Sequence, residues 1–283
     1  MPKTIGELFP ILEEFVDDYK ETIQLGINHI QDKTIGILGL ARNIEPKINY
    51  VSEFIQNLSA VVKTQTFIYE NDSHDNTPHI LKILKSDTFN YTSEQHFSKQ
   101  YGQTKQKERT NQLSEYRNQC LEYARKNFLN TDYILVIDTD FVVSSVDGIL
   151  HSLGNMQKNK NINATCGFSY QIKQCTPHAE KQPWNYDCWA YRSNWWEDLD
   201  KIQPHYNPML WFGLWVPPIG SKPIPINSGF GGSCLYKTKD YLKGKYEGYD
   251  CEHVCFNKNL KNTVKNFQLY ANPAQLTILD ILA

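Results

Sequence analysis

The chain has 283 residues, a mass of 32.9 kDa and 40% hydrophobic content, which suits one large α/β domain or two small ones and excludes general disorder. Its 29 Lys and Arg stand against 31 Asp and Glu, a net charge of −2, so no overall field gathers polyanions and nucleic-acid binding is excluded as the main activity. No apolar run reaches the roughly 18 to 20 residues of a membrane span and the first residues lack a charged-then-apolar leader, so the expectation is a soluble, cytoplasmic chain without a transmembrane segment, peripheral membrane contact being the alternative.

From Ile5 through Leu8, Ile11, Leu12, Phe15, Val16, Tyr19, Ile23 and Leu25, apolar residues recur at three and four, which predicts an N-terminal amphipathic helix packed on the body, its acidic members facing water. Thr34 to Leu40 is a short apolar run of the kind a buried parallel strand needs, breaking into Ala41-Arg42-Asn43. Ile48 to Leu58 has helical spacing. A second strand, Thr64 to Tyr69, leads into the polar loop Glu70 to Thr77 and a helix from Pro78 to Lys85, with Thr77 expected as its N-cap. Residues 86–108 read as a polar, irregular excursion. Arg109 to Phe128 reads as a long helix carrying Arg117-Asn118, and Tyr133 to Ile137 as a third strand that runs directly into Asp138-Thr139-Asp140.

This β-α-β-α rhythm predicts an open, mixed but mostly parallel sheet flanked by helices, whose ligands bind beyond the carboxyl ends of the strands. Beyond about residue 163 the texture turns irregular, and all six tryptophans lie between Trp184 and Trp215. The organisation expected is an N-terminal helix over 1–30, a ligand-binding half over 31–150, an irregular second half over 151–262 and a tail over 263–283. Seven scattered cysteines without a CxxC pair indicate neither a disulfide framework nor a zinc knuckle. Four N-x-S/T sequons begin at Asn57, Asn71, Asn90 and Asn163; a glycan on Asn71 would block the expected site, which favours a compartment without glycosylation.

Residues two apart on an extended strand face the same way, so Asp138 and Asp140 can address one ligand. Paired carboxylates suit a hard divalent cation, Mn²⁺ or Mg²⁺, which can bridge to a substrate diphosphate; a solvated strand end explains an isolated D-x-D equally well. The acceptor-rich loop from Glu70 can hold a ribose and a base edge, and Arg42, Arg109 and Arg117 can pair with phosphates. Asn227-Ser228-Gly229 opens a glycine cluster in which backbone can approach a ligand closely. Asp250-Cys251-Glu252-His253 offers a general base, Glu252 or Asp250, and a third metal ligand, His253. The tryptophan stretch supplies flat faces for sugar C–H groups, although core packing claims some rings.

In this order, the Ala41-Arg42-Asn43 strand end, the Tyr69-Glu70-Asn71-Asp72-Ser73-x-Asp75-x-Thr77 loop, the Arg117-Asn118 helix, Asp138-x-Asp140, Asn227-Ser228-Gly229 and Asp250-x-Glu252-His253 resemble GT-A-fold (Rossmann-like) glycosyltransferases. Among these the chain is most similar, over about residues 34–260, to the fungal capsule-associated α-mannosyltransferases. The resemblance implies a glycosyltransferase using a UDP- or GDP-linked sugar donor and a glycan or glycoconjugate acceptor. It also implies roles: Asp138, Asp140 and His253 around a metal ion; Ala41, Arg42, Asn43, Glu70, Asp72, Arg117, Asp138 and Thr139 around the nucleotide sugar; Glu252 or Asp250 as base if the enzyme inverts. Trp189, Trp211, Trp215, Asn227 and Gly229 fall on the acceptor side. A nucleotidyltransferase and a non-catalytic carbohydrate-binding protein are the competing readings; the first lacks a Gly-rich, Lys-containing start and the second leaves Asp138-x-Asp140 unexplained.

Overall fold

Ile35, Ile37 and Leu38 are fully buried in β1 (Thr34–Ala41), as a strand covered on both faces requires. The computed structural model describes residues 5–97, 99, 101, 106–174, 181–193, 212, 213 and 215–281. In it β1 lies between β2 (Lys63–Asn71) and β4 (Tyr133–Ile137), and β3 (Phe89–Glu94) lies outside β2. These four strands run parallel. Their carboxyl ends therefore deliver residues 41–43, 71–76, 94–97 and 138–140 to one edge of the sheet.

The sheet continues past β4 through β9 (Ser233–Lys237), antiparallel to both β4 and β6 (Ala164–Gln174). Beyond it β10 (Leu269–Ile281) runs parallel to β6, with β5 (Val143–Ser144) and β8 (Ile224–Ile226) antiparallel on β10 and β7 (Lys181–Asn185) antiparallel on β6. Because β9 is reversed, it starts at the edge where β4 ends, and Ile137 pairs with Ser233. This mixed sheet with helices on both faces is the GT-A architecture expected.

The helices with both ends among the described residues are, in chain order, α1 (Ile5–Leu8), α2 (Val16–Ile30), α3 (Ile48–Ser59), α4 (Thr77–Leu84), α5 (Lys107–Asn127), α6 (Val146–Lys158), α7 (Thr238–Tyr241) and α8 (Glu252–Thr263). Alternate strand residues point to opposite faces. Leu38, Phe67 and Val136 meet Cys120 and Leu121 of α5 and Phe256 of α8 on one face. On the other, Ile35, Ile37 and Leu135 meet Ile30 of α2, Phe54 and Leu58 of α3 and Leu153 of α6.

The structure departs from four local expectations. The N-terminal helix is broken: α1 stops before Pro10, Ile11 bridges to Ile219, and a 3-10 turn at Glu13–Phe15 precedes α2, because proline disfavours helix in the residue before it and supplies no N–H. The polar excursion contains β3, whose backbone pairs with β2 although its side chains are only partly covered. Thr77 is not a cap: α4 starts at Thr77 with Asn76 before it, and the Thr77 hydroxyl instead accepts from Ile44 N–H at 2.9 Å. Residues 269–281, inside the segment set apart as a tail, form β10 and are almost wholly buried.

Candidate active site at the carboxyl edge of the sheet

Gly231 and Gly232 have φ of +59° and +74°, left-handed conformations that L side chains resist, and a Cβ on Gly231 would stand 2.0 Å from the Gly167 carbonyl oxygen. This turn holds two acidic residues at once. The Gly232 carbonyl accepts from Asp138 N–H at 2.9 Å, and Gly231 N–H donates to Asp187 Oδ2 at 2.8 Å. From α5 the buried Arg117 donates to Asp138 Oδ1 at 3.1 Å and to the Ile137 carbonyl at 3.4 Å, with its guanidinium 5.2 Å from the centre of the Phe230 ring. Glu252, buried, begins α8.

The charges in this cluster do not balance. Burial, followed by Asp140, pushes the Asp138 carboxyl well above its ordinary range against the pull of Arg117, and Asp187 and Glu252 add to the rise. Burial also lifts Asp140. Asp187 is pushed up to about 7, chiefly by burial and further by Glu252, while the Gly231 N–H opposes the rise. Neither spacing nor periodicity in the sequence links Asp187 to Asp138, and the glycine turn that joins them is a property of the fold.

The other proposed acid, Asp250, is engaged elsewhere. Its Oδ2 accepts from Arg192 at 2.9 Å and its Oδ1 from Cys251 N–H at 2.7 Å. Arg192 is 2% exposed and also donates to the Trp189 and Tyr191 carbonyls at 2.6 and 2.9 Å, so this pair ties the aromatic segment to the approach of α8. Nothing in the sequence around Arg192 announces that role. His253 lies flat on Phe230, ring centres 3.7 Å apart, with Nε2 3.6 Å from Glu252 Oε1. Burial, reinforced by Arg117, holds its imidazole well below the usual range, which keeps it neutral.

The structure brings the residues expected around a nucleoside to the ends of β1 and β2. Ala41 pairs with Glu70, and Arg42 donates to the Asn71 carbonyl at 2.9 Å and to Asp72 Oδ2 at 3.0 Å. Asn43, at φ +53°, accepts from His74 N–H at 2.7 Å. Glu70 is fully buried and spends its oxygens on Ser73 N–H and the Ser93 hydroxyl. Asp72 Oδ1 accepts from His96 and Phe97 N–H at 2.7 and 2.9 Å. These carboxylates shape the loops by hydrogen bonds, a demand local sequence does not reveal. Thr139 donates to the Leu40 carbonyl at 2.5 Å and so links the β1 and β4 ends.

Of the residues expected on the acceptor side, Trp215 is packed edge-on against Phe168 and Phe212 at 5.4 and 5.2 Å, and Trp189 is half-buried against the same core. Trp211 lies outside the described residues. Asn227 donates to the Ser193 carbonyl at 3.2 Å. Gly229 is a packing position: a Cβ there would stand 2.6 Å from Cys166 Sγ.

The chemistry of Asp138 and Asp140, hard oxygen donors with excess negative charge, fits a divalent cation. Asp138, Asp140 and His253 are not preassembled as a cage, for among the described residues no three His, Cys, Asp or Glu side chains are gathered to hold a metal ion. Mg²⁺-type ions are commonly held by one or two carboxylates with substrate phosphates completing the shell, so the pair fits without a cage.

A family model described as cryptococcal mannosyltransferase 1 matches residues 44–259. No curated protein matches the chain. Among solved structures, one described as a mycobacterial protein superposes with a TM-score of 0.51 at 12% identity, over 92% of this chain and 69% of that one. Glucosyl-3-phosphoglycerate synthase from Mycobacterium tuberculosis, in complex with Mn²⁺, UDP and phosphoglyceric acid, gives 0.49 at 13% identity over 94% and 74%. S. aureus TarS 1-349 gives 0.48 at 9% identity over 86% and 59%.

Proposed function

Because the chain belongs to the cryptococcal mannosyltransferase 1 family and is a glycosyltransferase, we propose that it moves mannose from a nucleoside-diphosphate sugar to a hydroxyl of a glycan or glycoconjugate acceptor. The observation that carries this reading is the crowding of Asp138, Asp140, Asp187 and Glu252 around the buried guanidinium of Arg117, with Lys47 beside Asp140, at the carboxyl edge of the sheet. In open α/β sheets this edge is where ligands bind.

Each residue then has a task. Arg42, Asn43, Glu70 and Asp72 set the shape of the nucleoside cleft, with Ala41 and Thr139 as its backbone floor. Asp138 and Asp140 would hold Mn²⁺ or Mg²⁺. Such an ion, when bound, neutralises charge on a leaving diphosphate. Arg117 fixes the Asp138 carboxylate in place and, being always charged, adds a positive field for the diphosphate. Asp187 and Glu252 face the acceptor side. A carboxyl near 7 can both take and release a proton at neutral pH, so Asp187 joins Glu252 as a candidate for the acceptor hydroxyl proton, whereas Asp250 serves as the anchor of Arg192.

The test is transfer from GDP- and UDP-linked sugars with Mn²⁺, comparing wild type with Asp138→Asn, Asp140→Asn, Asp187→Asn and Glu252→Gln, each checked for folding. Loss of a preorganised electrostatic group costs about 10²- to 10³-fold, and that fall is expected for Asp138→Asn and Asp140→Asn. A folded Asp138→Asn with wild-type rates would sink the assignment. Glu252→Gln or Asp187→Asn with a comparable fall marks the base of an inverting reaction; near-wild-type rates for both mark a retaining one.

A further inference from the structure

The amino edge of the sheet, opposite the acidic cluster, opens into a second pocket of about 340 Å³ where β1 and β4 begin and β9 ends. Lys33, Lys237 and Lys239 line it, with Asp132 as the lining acid. That carboxylate is already committed: its Oδ1 lies 3.2 Å from Lys33 Nζ and its Oδ2 accepts from Thr34 N–H at 2.9 Å. The nearby Asp240 carboxylate accepts from Asn163 at 2.9 Å. Lys237 reaches across to the Lys160 carbonyl at 3.0 Å, which brings a further ammonium close. In a chain whose net charge is −2, this concavity gathers cations in excess of acids.

Two groups on different elements, both shifted chiefly by burial, also feel these lysines. Burial, with Lys239 and Lys160 adding to it, holds the Lys237 ammonium below its ordinary range although Asp240 opposes. Burial, then Lys33 and Lys160, does the same to His29, whose Nε2 lies 2.7 Å from the Tyr133 hydroxyl. Like charges converging on a half-buried concavity are costly unless an anion completes them.

We propose that this pocket binds a phosphate group, either a free phosphate or the phosphate of a lipid headgroup. Ammonium groups bind phosphate as point charges, and the volume lies at the small end of the roughly 300 to 1,000 Å³ typical of ligand sites, too small for an extended polyanion. Leu129, 63% exposed, stands on the rim beside Leu242, which would suit the alkyl portion of a phospholipid. The pocket is independent of the nucleotide-sugar site, lying at the other edge of the sheet.

The experiment reads the His29 ring resonance by NMR, assigned with His29→Gln, while inorganic phosphate is added to the full chain. A saturable shift is expected, weakened by at least about tenfold in Lys237→Gln/Lys239→Gln, since each lost ammonium contact is charge-assisted. Asp138→Asn should respond as wild type does, separating this pocket from the acidic edge. The exposed Lys239→Glu alone, which leaves packing untouched, should weaken the response in the same direction. Sedimentation with phosphatidylcholine vesicles, with and without phosphatidic acid, distinguishes the sources: binding that needs phosphatidic acid and is lost in the double variant identifies a headgroup, and a His29 shift without vesicle binding identifies a soluble phosphate. Absence of both responses on folded protein, or equal responses in wild type and double variant, overturns the proposal.

Discussion

His151 sits in α6 with its Nδ1 3.2 Å from Asn272 Oδ1 and its ring 5.1 Å from that of Tyr19, and its buried Nε2 has no hydrogen-bond partner. Burial lowers its pKa from 6.5 to about 4, which makes it a built-in acid sensitivity. Above 6.5 the ring is neutral in both folded and unfolded chains, and its contribution is constant. Between 6.5 and about 4 the unfolded chain binds the proton first, so stability falls as pH falls, by up to about 3 kcal/mol in all. Asp187, raised to about 7, acts in the opposite sense, so the His151 part is isolated by difference. Urea unfolding of wild type and His151→Gln at pH 7 and pH 5 is expected to show the stability gap narrowing at the lower pH; a gap independent of pH would refute it. At this scale the sequence announced Asp138 and Asp140 because an apolar strand ran straight into them. Asp187 and Arg192 stayed hidden because their partners, Gly231 and Asp250, lie 44 and 58 residues away.

Helix α2 crosses α6 at a glycine pair. A Cβ on Gly154 would stand 1.9 Å from the Thr22 carbonyl oxygen, and one on Gly26 would stand 1.9 Å from that of Leu150. Backbone cannot yield as a flexible side chain does, so the helices must separate. Gly154→Ala gains up to about 1 kcal/mol of helix propensity, yet overpacking costs about 1–3 kcal/mol and lifts α2 off its seat. The expected result is a net loss of thermal stability in calorimetry, with nucleotide binding at the distant carboxyl edge unchanged; an unaltered or raised Tm would show that the helices slide apart freely. Most elements were legible because their apolar periods are strong: β1, α3, β4 and α5 lie within a few residues of where the pattern puts them. β3 was missed because its apolar alternation is only two residues long, Phe89 and Tyr91, before Thr92-Ser93-Glu94, and pairing with β2 with those two rings packed on the neighbouring cluster makes it a strand. Thr77 misled because a hydroxyl before proline fits a cap, whereas here it ties two loops together.

One sheet runs through both the ordered α/β half and the aromatic half, with β9 as the shared strand between β4 and β6. A chain built this way should unfold as a unit. Tryptophan fluorescence, reporting the 184–215 segment, and far-ultraviolet circular dichroism, dominated by the helices, are expected to give superimposable urea transitions; two separated midpoints would show independent halves. The order of motifs along the chain was enough to gather the residues expected around a nucleotide at one edge of the sheet, because parallel strands put their carboxyl ends together by topology alone. The acceptor side was not legible in the same way: Trp215 and Gly229 had chemistry that fits a sugar site, yet their surroundings use them as packing.

The reversed β9 also fixes an order of assembly. While the chain is being made, β4 exists long before its partner does, and the backbone groups along that side of the nascent sheet lie open until Ser233–Lys237 emerge. At roughly 5–20 residues per second, translation of the intervening hundred or so residues takes about 5–20 s. An uncovered strand edge is a template for pairing with other chains, so yield in the cell should depend on chaperone capacity and translation speed through that interval more than on the stability of the finished protein.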